Sequence, residues 1–100
     1  MASVEKTHPR VFNLAPGIRV RKERFGVLFY NPKGPKLAFL HSGPWIQPEF
    51  FSGKIQLMKW IEVQFPGLPE EKTREVERRL LLALAKLAEK GWIVEAMEAV

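Results

Sequence analysis

Residues 16–42 read PGIRVRKERFGVLFYNPKGPKLAFLHS, and their punctuation decides the fold class. Pro16-Gly17 is a turn signal. Ile18-Arg19-Val20-Arg21 alternates apolar and charged residues, the period of a half-buried strand. Phe25–Tyr30 (FGVLFY) is β-branched and aromatic and reads as a second strand. Asn31-Pro32-Lys33-Gly34-Pro35 is a dense turn cluster, and Lys36–His41 (KLAFLH) reads as a third. Connections this short cannot make parallel crossovers, so the three strands predict an antiparallel meander.

Toward the C-terminus the period changes from two to 3.6. Ser42-Gly43-Pro44 suits the start of a short helix, with Ser42 as cap and Pro44 in the first turn, and Pro48 limits its length. In Ser52–Phe65, Ile55, Met58, Ile61 and Phe65 recur at helical spacing, and Leu57 and Trp60 widen the stripe. After Pro66-Gly67 comes the strongest helical pattern, Pro69–Lys90. Glu70 and Glu71 suit its N-terminal dipole, and Lys86 and Lys90 suit the other end. Gly91 is the expected stop, and Trp92-Ile93-Val94 reads as an extended segment folding back. The expectation is an α+β domain over residues 16–94, winged-helix-like, with a three-stranded antiparallel sheet followed by three helices. Residues 1–15 read as a flexible lead-in, with Val11, Phe12 and Leu14 as candidates to pack on the body, and 95–100 as a C-terminal tail.

One hundred residues suffice for one modest domain, and 46% hydrophobic residues argue against disorder. No cysteine is present, so disulfide scaffolds and thiolate metal sites are excluded. The N-terminal stretch lacks the apolar region of a signal peptide. The longest apolar run, Leu80–Ala85, falls far short of a bilayer span of ~20 residues. A cytoplasmic location with no membrane association is the simplest expectation. The net charge is +5, but it is unevenly placed. Residues 1–41 hold eight basic and two acidic residues, whereas 42–100 hold eight and nine. The basicity belongs to the strand-rich half.

No phosphate-binding glycine loop, zinc-binding helix motif or serine elbow occurs. His8 and His41 are far apart in sequence, which argues against a metal pair. A serine triad would have to combine His41 with Ser3, Ser42 or Ser52, and nothing presents any of these as a nucleophile. The expectation is therefore no catalytic residues, no metal and no cofactor. A winged-helix nucleic-acid binder is the alternative, with Arg19–Arg24, Lys33 and Lys36 as a basic wing. Against it, the long helix sets Glu70, Glu71, Glu75 and Glu77 beside its arginines, and its middle is leucine rather than residues that read base edges.

A peptide-binding reading fits the residues better. The third strand ends the meander and offers an open edge to an incoming extended segment. On the long helix, Val76, Leu80, Ala83, Leu84 and Leu87 form a core stripe. Leu81 and Leu82 lie off it, about 120° and about 140° to either side at 100° per residue. These surplus leucines call for a cover: a domain element, a second copy or a partner. The expected peptide site is the strand Lys36, Leu37, Ala38, Phe39, Leu40 and His41, with Leu81, Leu82 and Ala85 as apolar groove residues. Arg74, Arg78 and Lys36 are expected to favour an acidic guest. Leu37 and Phe39 share one face of the strand and Ala38 and Leu40 the other; the sequence leaves open which face meets the helix. The same open edge invites homodimers by edge pairing or domain swapping.

Three pieces of the chain carry a family resemblance: Gly17–Arg21 (GIRVR), Arg24–Tyr30 (RFGVLFY) and Leu37–Leu40 (LAFL). Together with LLLALAKLAEKGWIV (residues 80–94), they resemble the mycofactocin-system precursor-peptide chaperones. That family belongs to the RiPP recognition elements and is similar to the pyrroloquinoline quinone peptide chaperones, whose branch stays open. The resemblance spans about residues 16–94 and departs at Trp45–Ser52. It implies three strands and three helices, and binding of the leader region of a ribosomally made precursor peptide as an added strand between third strand and third helix. It further implies delivery of that peptide to a radical SAM maturase, which holds the iron–sulfur clusters.

Overall fold

The computed structural model describes residues 10–97, which form a mixed α+β domain with two antiparallel sheets. In chain order the elements are β1 (Arg10–Leu14), β2 (Arg19–Glu23), β3 (Gly26–Tyr30), β4 (Leu37–Leu40), a 3-10 turn (Pro48–Phe51), α1 (Leu57–Gln64), α2 (Glu70–Glu89) and β5 (Ile93–Met97). The meander is present as β2-β3-β4 in sequence order. Its register sets Arg21 opposite Leu28 and Leu28 opposite Phe39. The β3–β4 turn is built locally: the Gly34 amide donates to the Asn31 carbonyl (3.0 Å) and the Lys33 amide to Asn31 Oδ1 (2.9 Å), the Asx geometry that places asparagine in turns.

Residues 10–14, expected in a flexible lead-in, instead form a strand. β1 pairs antiparallel with β5, with Phe12 opposite Glu95 and Leu14 opposite Ile93. Phe12 is buried in the main core, and Arg10 Nε bridges the Glu95 carboxylate at 3.0 Å. The domain therefore begins earlier than residue 16 and extends past 94, since 95–97 belong to β5. The remainder of the lead-in (1–9) and of the tail (98–100) lies outside the described residues.

The first of the three expected helices is also absent among the described residues. Ser42 to Gln47 run as turn and extended chain, and Pro48 starts a single 3-10 turn with no side-chain cap. The reason is packing. This segment drives Ile46, Phe50 and Phe51 into the core, and an α-helix beginning at Pro44 would have to continue through Pro48, which lacks the amide. Phe50 packs against Phe12 (5.9 Å between ring centroids) and Trp60 (5.5 Å), and Phe51 meets Phe29 edge-on (5.1 Å). Trp60 Nε1 donates to the Trp45 carbonyl at 2.8 Å, tying α1 to the same segment. Burial of such rings dominates a small core, with edge-to-face pairs adding about 0.5–1.5 kcal/mol each.

α2 contributes Val76, Leu80, Leu84 and Leu87 to that core. Its end is a Schellman motif: the Trp92 amide bonds the Leu87 carbonyl (3.0 Å) and the Gly91 amide the Ala88 carbonyl (3.1 Å), with Gly91 at φ +88°. The reversal sets Trp92 beside the last turn of α2 and feeds β5. No helix among the described residues is long and apolar enough to cross a membrane.

Candidate functional site

Among the described residues β4 is an edge strand, paired with β3 alone. Its alternation has a definite sense. Ala38 and Leu40 turn inward and join the core, whereas Leu37 and Phe39 are each 54% exposed on the opposite face. The face that meets the helix is thus Ala38 and Leu40.

Between the free edge of β4 and α2 lies an open cleft of about 810 Å³, within the size range of ligand sites. Its strand wall is Lys36–Leu40, and its helix wall includes Ala83, Lys86, Leu87 and Lys90, with Trp92 at one end. At the other end it runs into a smaller cavity of about 230 Å³, sharing Leu40 and Ala83 and adding His41, Ser42, Trp45, Lys72, Glu75 and Arg79. One face of α2 therefore overlooks the whole groove. At 100° per residue, Lys72, Arg79, Lys86 and Lys90 fall within about 60° of Ala83.

That face is not the one expected from the leucine surplus. Leu81, Arg74, Arg78 and Ala85 lie about 140–180° from Ala83, and Leu82 about 100°. None of the five lines the cleft or the smaller cavity. Leu81 is covered instead by packing against the core, and Leu82 is 66% exposed outside the groove. Arg74 is turned to solvent and holds Glu70 one helical turn away (2.9 Å), and Arg78 is exposed. Of the two surplus leucines only Leu81 marks packing, on the side of α2 away from Ala83. The helix wall of the groove runs beside the core stripe: Leu87 in the cleft and Val76 and Leu80 in the smaller cavity stand with Ala83 among the basic residues Lys72, Arg79, Lys86 and Lys90. The basic residues Lys72, Arg79, Lys86 and Lys90 around Ala83 were the available signal.

The two ends of the groove differ electrostatically. At the His41 end, Glu75 is clamped between Arg79 (3.0 Å) and Lys72 (3.7 Å), so one of the two positive charges there is offset. At the other end, Lys36, Lys86 and Lys90 are exposed and form no ion pair among the described residues, and no carboxylate lines the cleft there. The Ser42 hydroxyl is buried without a hydrogen-bond partner.

Gly26 locks the strand that holds this edge. Its φ is +148°, and a Cβ there would collide with the Leu40 carbonyl oxygen and the Ser42 amide. The glycine of the RFG sequence thus lets β3 and the end of β4 approach closely. On the outer sheet face Phe25, Phe39 and His41 form a ring cluster (Phe25–Phe39 5.6 Å, Phe25–His41 5.0 Å). Among the described residues, no group of three or more histidines and carboxylates is placed to hold a metal.

Compared with known proteins, the chain matches no family model, no curated protein and no solved structure.

Proposed function

We propose that this protein is a non-catalytic peptide chaperone that takes an extended segment of a precursor peptide as an added strand on β4. The observation that carries the reading is the coincidence of an unpaired strand edge with an open groove along one face of α2. Main-chain hydrogen bonds to the edge supply affinity that does not depend on sequence, and side chains that reach α2 supply selectivity. The order of a three-stranded meander, a 3-10 turn and two helices is compatible with a winged-helix-like domain, α2 taking the part of the third helix. On the family resemblance, the guest is the leader region of a precursor in mycofactocin-type RiPP biosynthesis, and the complex is handed to a radical SAM maturase. The chain's own residues then bind and orient the peptide, and the chemistry belongs to the enzyme.

Calorimetry with a synthetic leader peptide, with and without the maturase, tests this. Micromolar or tighter binding is expected. Ala83→Arg fills the groove from a half-buried helix position, and it should weaken binding at least ~10-fold while the circular dichroism stays unchanged. Absence of binding under both conditions sinks the reading.

A second reading, nucleic-acid binding, draws on the outer sheet face, where Arg19 and Arg21 flank Tyr30 and Phe39. It predicts a mobility shift whose affinity falls steeply with salt. Against it, Arg21 is already paired with Glu23, and Phe39 is already in ring contact with Phe25.

A further inference from the structure

The groove does not stop at the end of β4. Past Lys36 and Lys90 it opens into a separate notch of about 360 Å³, lined by Ile18, Asn31, Pro35 and Trp92 together with the same two lysines. Lys36, Lys90 and Trp92 line both spaces, so the two adjoin. Two local devices build the notch. The Asn31–Gly34 turn sets Pro35 and Lys36 on one side, and the Schellman reversal at Gly91 sets Trp92 on the other. Its surface combines apolar walls with two lysines that form no ion pair among the described residues.

We propose that this notch is an anchoring subsite that accepts an acidic side chain followed by a large apolar one, the carboxylate held at Lys36 and Lys90 and the apolar group resting on Trp92, Ile18 and Pro35. The proposal rests on the strand-addition reading above. The electrostatics favour an anion here. The C-terminus of α2 contributes roughly half a negative charge, but Lys36, Lys86 and Lys90 set three full positive charges against it. The direction of the guest follows from the edge. A strand added antiparallel to β4, the slightly more stable pairing, runs opposite to Leu37–Leu40 and leaves the groove over Lys36. The acidic–apolar pair therefore lies on the C-terminal side of the paired segment. At the opposite end Glu75 offsets one of the two charges of Lys72 and Arg79, so the demand for an anion is weaker there.

The test is selection from a random peptide display library on the immobilised protein, in parallel on wild type and on the exposed variant Lys90→Glu, whose fold is checked by circular dichroism. Wild type should enrich alternating strand-like sequences followed by Asp or Glu and then a large apolar residue. Lys90→Glu should lose the acidic position and select Lys or Arg in its place. A synthetic winner should lose about tenfold in affinity for Lys90→Glu at low salt, and its Glu→Lys version should regain it on that variant. Enriched peptides that Ala83→Arg displaces, but that carry no acidic preference or carry it on the N-terminal side, overturn the subsite and leave the chaperone reading standing. A library that yields no groove-dependent binder at all overturns both.

Discussion

The two sheets of this domain solve opposite problems. The β1–β5 ribbon joins segments from the two ends of the described chain and puts Phe12 and Ile93 into the core. The β2–β4 meander is made of neighbours in sequence and leaves β4 unpaired along a groove. One sheet closes the molecule and the other keeps an edge available. Unpaired edges are usually blunted because they invite aggregation. Here β4 is only four residues long, and lysines stand at one end of its groove. A short edge of this kind can stay open without pairing indiscriminately.

The largest effect that would break the contrast is in the ribbon. Phe12→Ala should destabilise the domain by about 3–5 kcal/mol, read by urea unfolding. A loss below ~1 kcal/mol would mean that the ribbon is peripheral and that residues 10–14 belong to a loose lead-in after all. Next, Gly26→Ala strikes the meander at the close approach of β3 to β4. The backbone conformation alone costs about 1–3 kcal/mol, the collision with Leu40 adds to it, and peptide binding should fall with it because the edge is displaced. Unchanged stability would show that β4 is not held there.

The two surplus leucines sharpen the same comparison on the helix. Leu81→Arg should cost about 1–3 kcal/mol, since a charge would enter a packed surface, while Leu82→Arg should stay within ~0.5 kcal/mol. Both should leave the intrinsic affinity for peptide unchanged. Equal effects of the two on stability, or a loss of peptide affinity with either, would return the groove to the leucine face. The smallest effect concerns Glu77. Burial holds its carboxyl above the ordinary glutamate value, partly offset by Arg74 and Arg10. The folded state therefore binds this proton more tightly than the unfolded chain, and stability from this group is lost as pH rises through the folded pKa. Glu77→Gln should stabilise slightly at neutral pH, and the gain should vanish as pH falls below 4.5, followed by thermal melts across that range.

Local features were legible in the chain. The turn clusters at 16–17 and 31–35 delimit strands close to those observed, and Gly91 marks the end of α2. The ribbon was not legible, because pairing of residues 10–14 with 93–97 depends on the tertiary fold bringing the chain ends together, and five-residue strands carry little periodicity. No helix forms between Ser42 and Pro48, because a proline-interrupted run satisfies core packing through a 3-10 turn at Pro48–Phe51 that propensity does not signal. The strand of the site was readable from its position at the end of the meander. The helix wall was not, since Leu81 and Leu82 stand out as surplus but lie about 100° or more from Ala83, whereas the groove borders the core stripe at Leu80, Ala83 and Leu87.

The most direct test of the central claim is a nuclear magnetic resonance titration of the isotopically labelled protein with the leader peptide. Strand addition predicts backbone amide shifts at Leu37–Leu40 and along Arg79, Ala83, Lys86 and Lys90, with intermolecular contacts between guest and β4 amides. Shifts confined to Arg19, Arg21 and Tyr30 on the outer sheet face, or to Leu82 and Ala85 on the far side of α2, would contradict it.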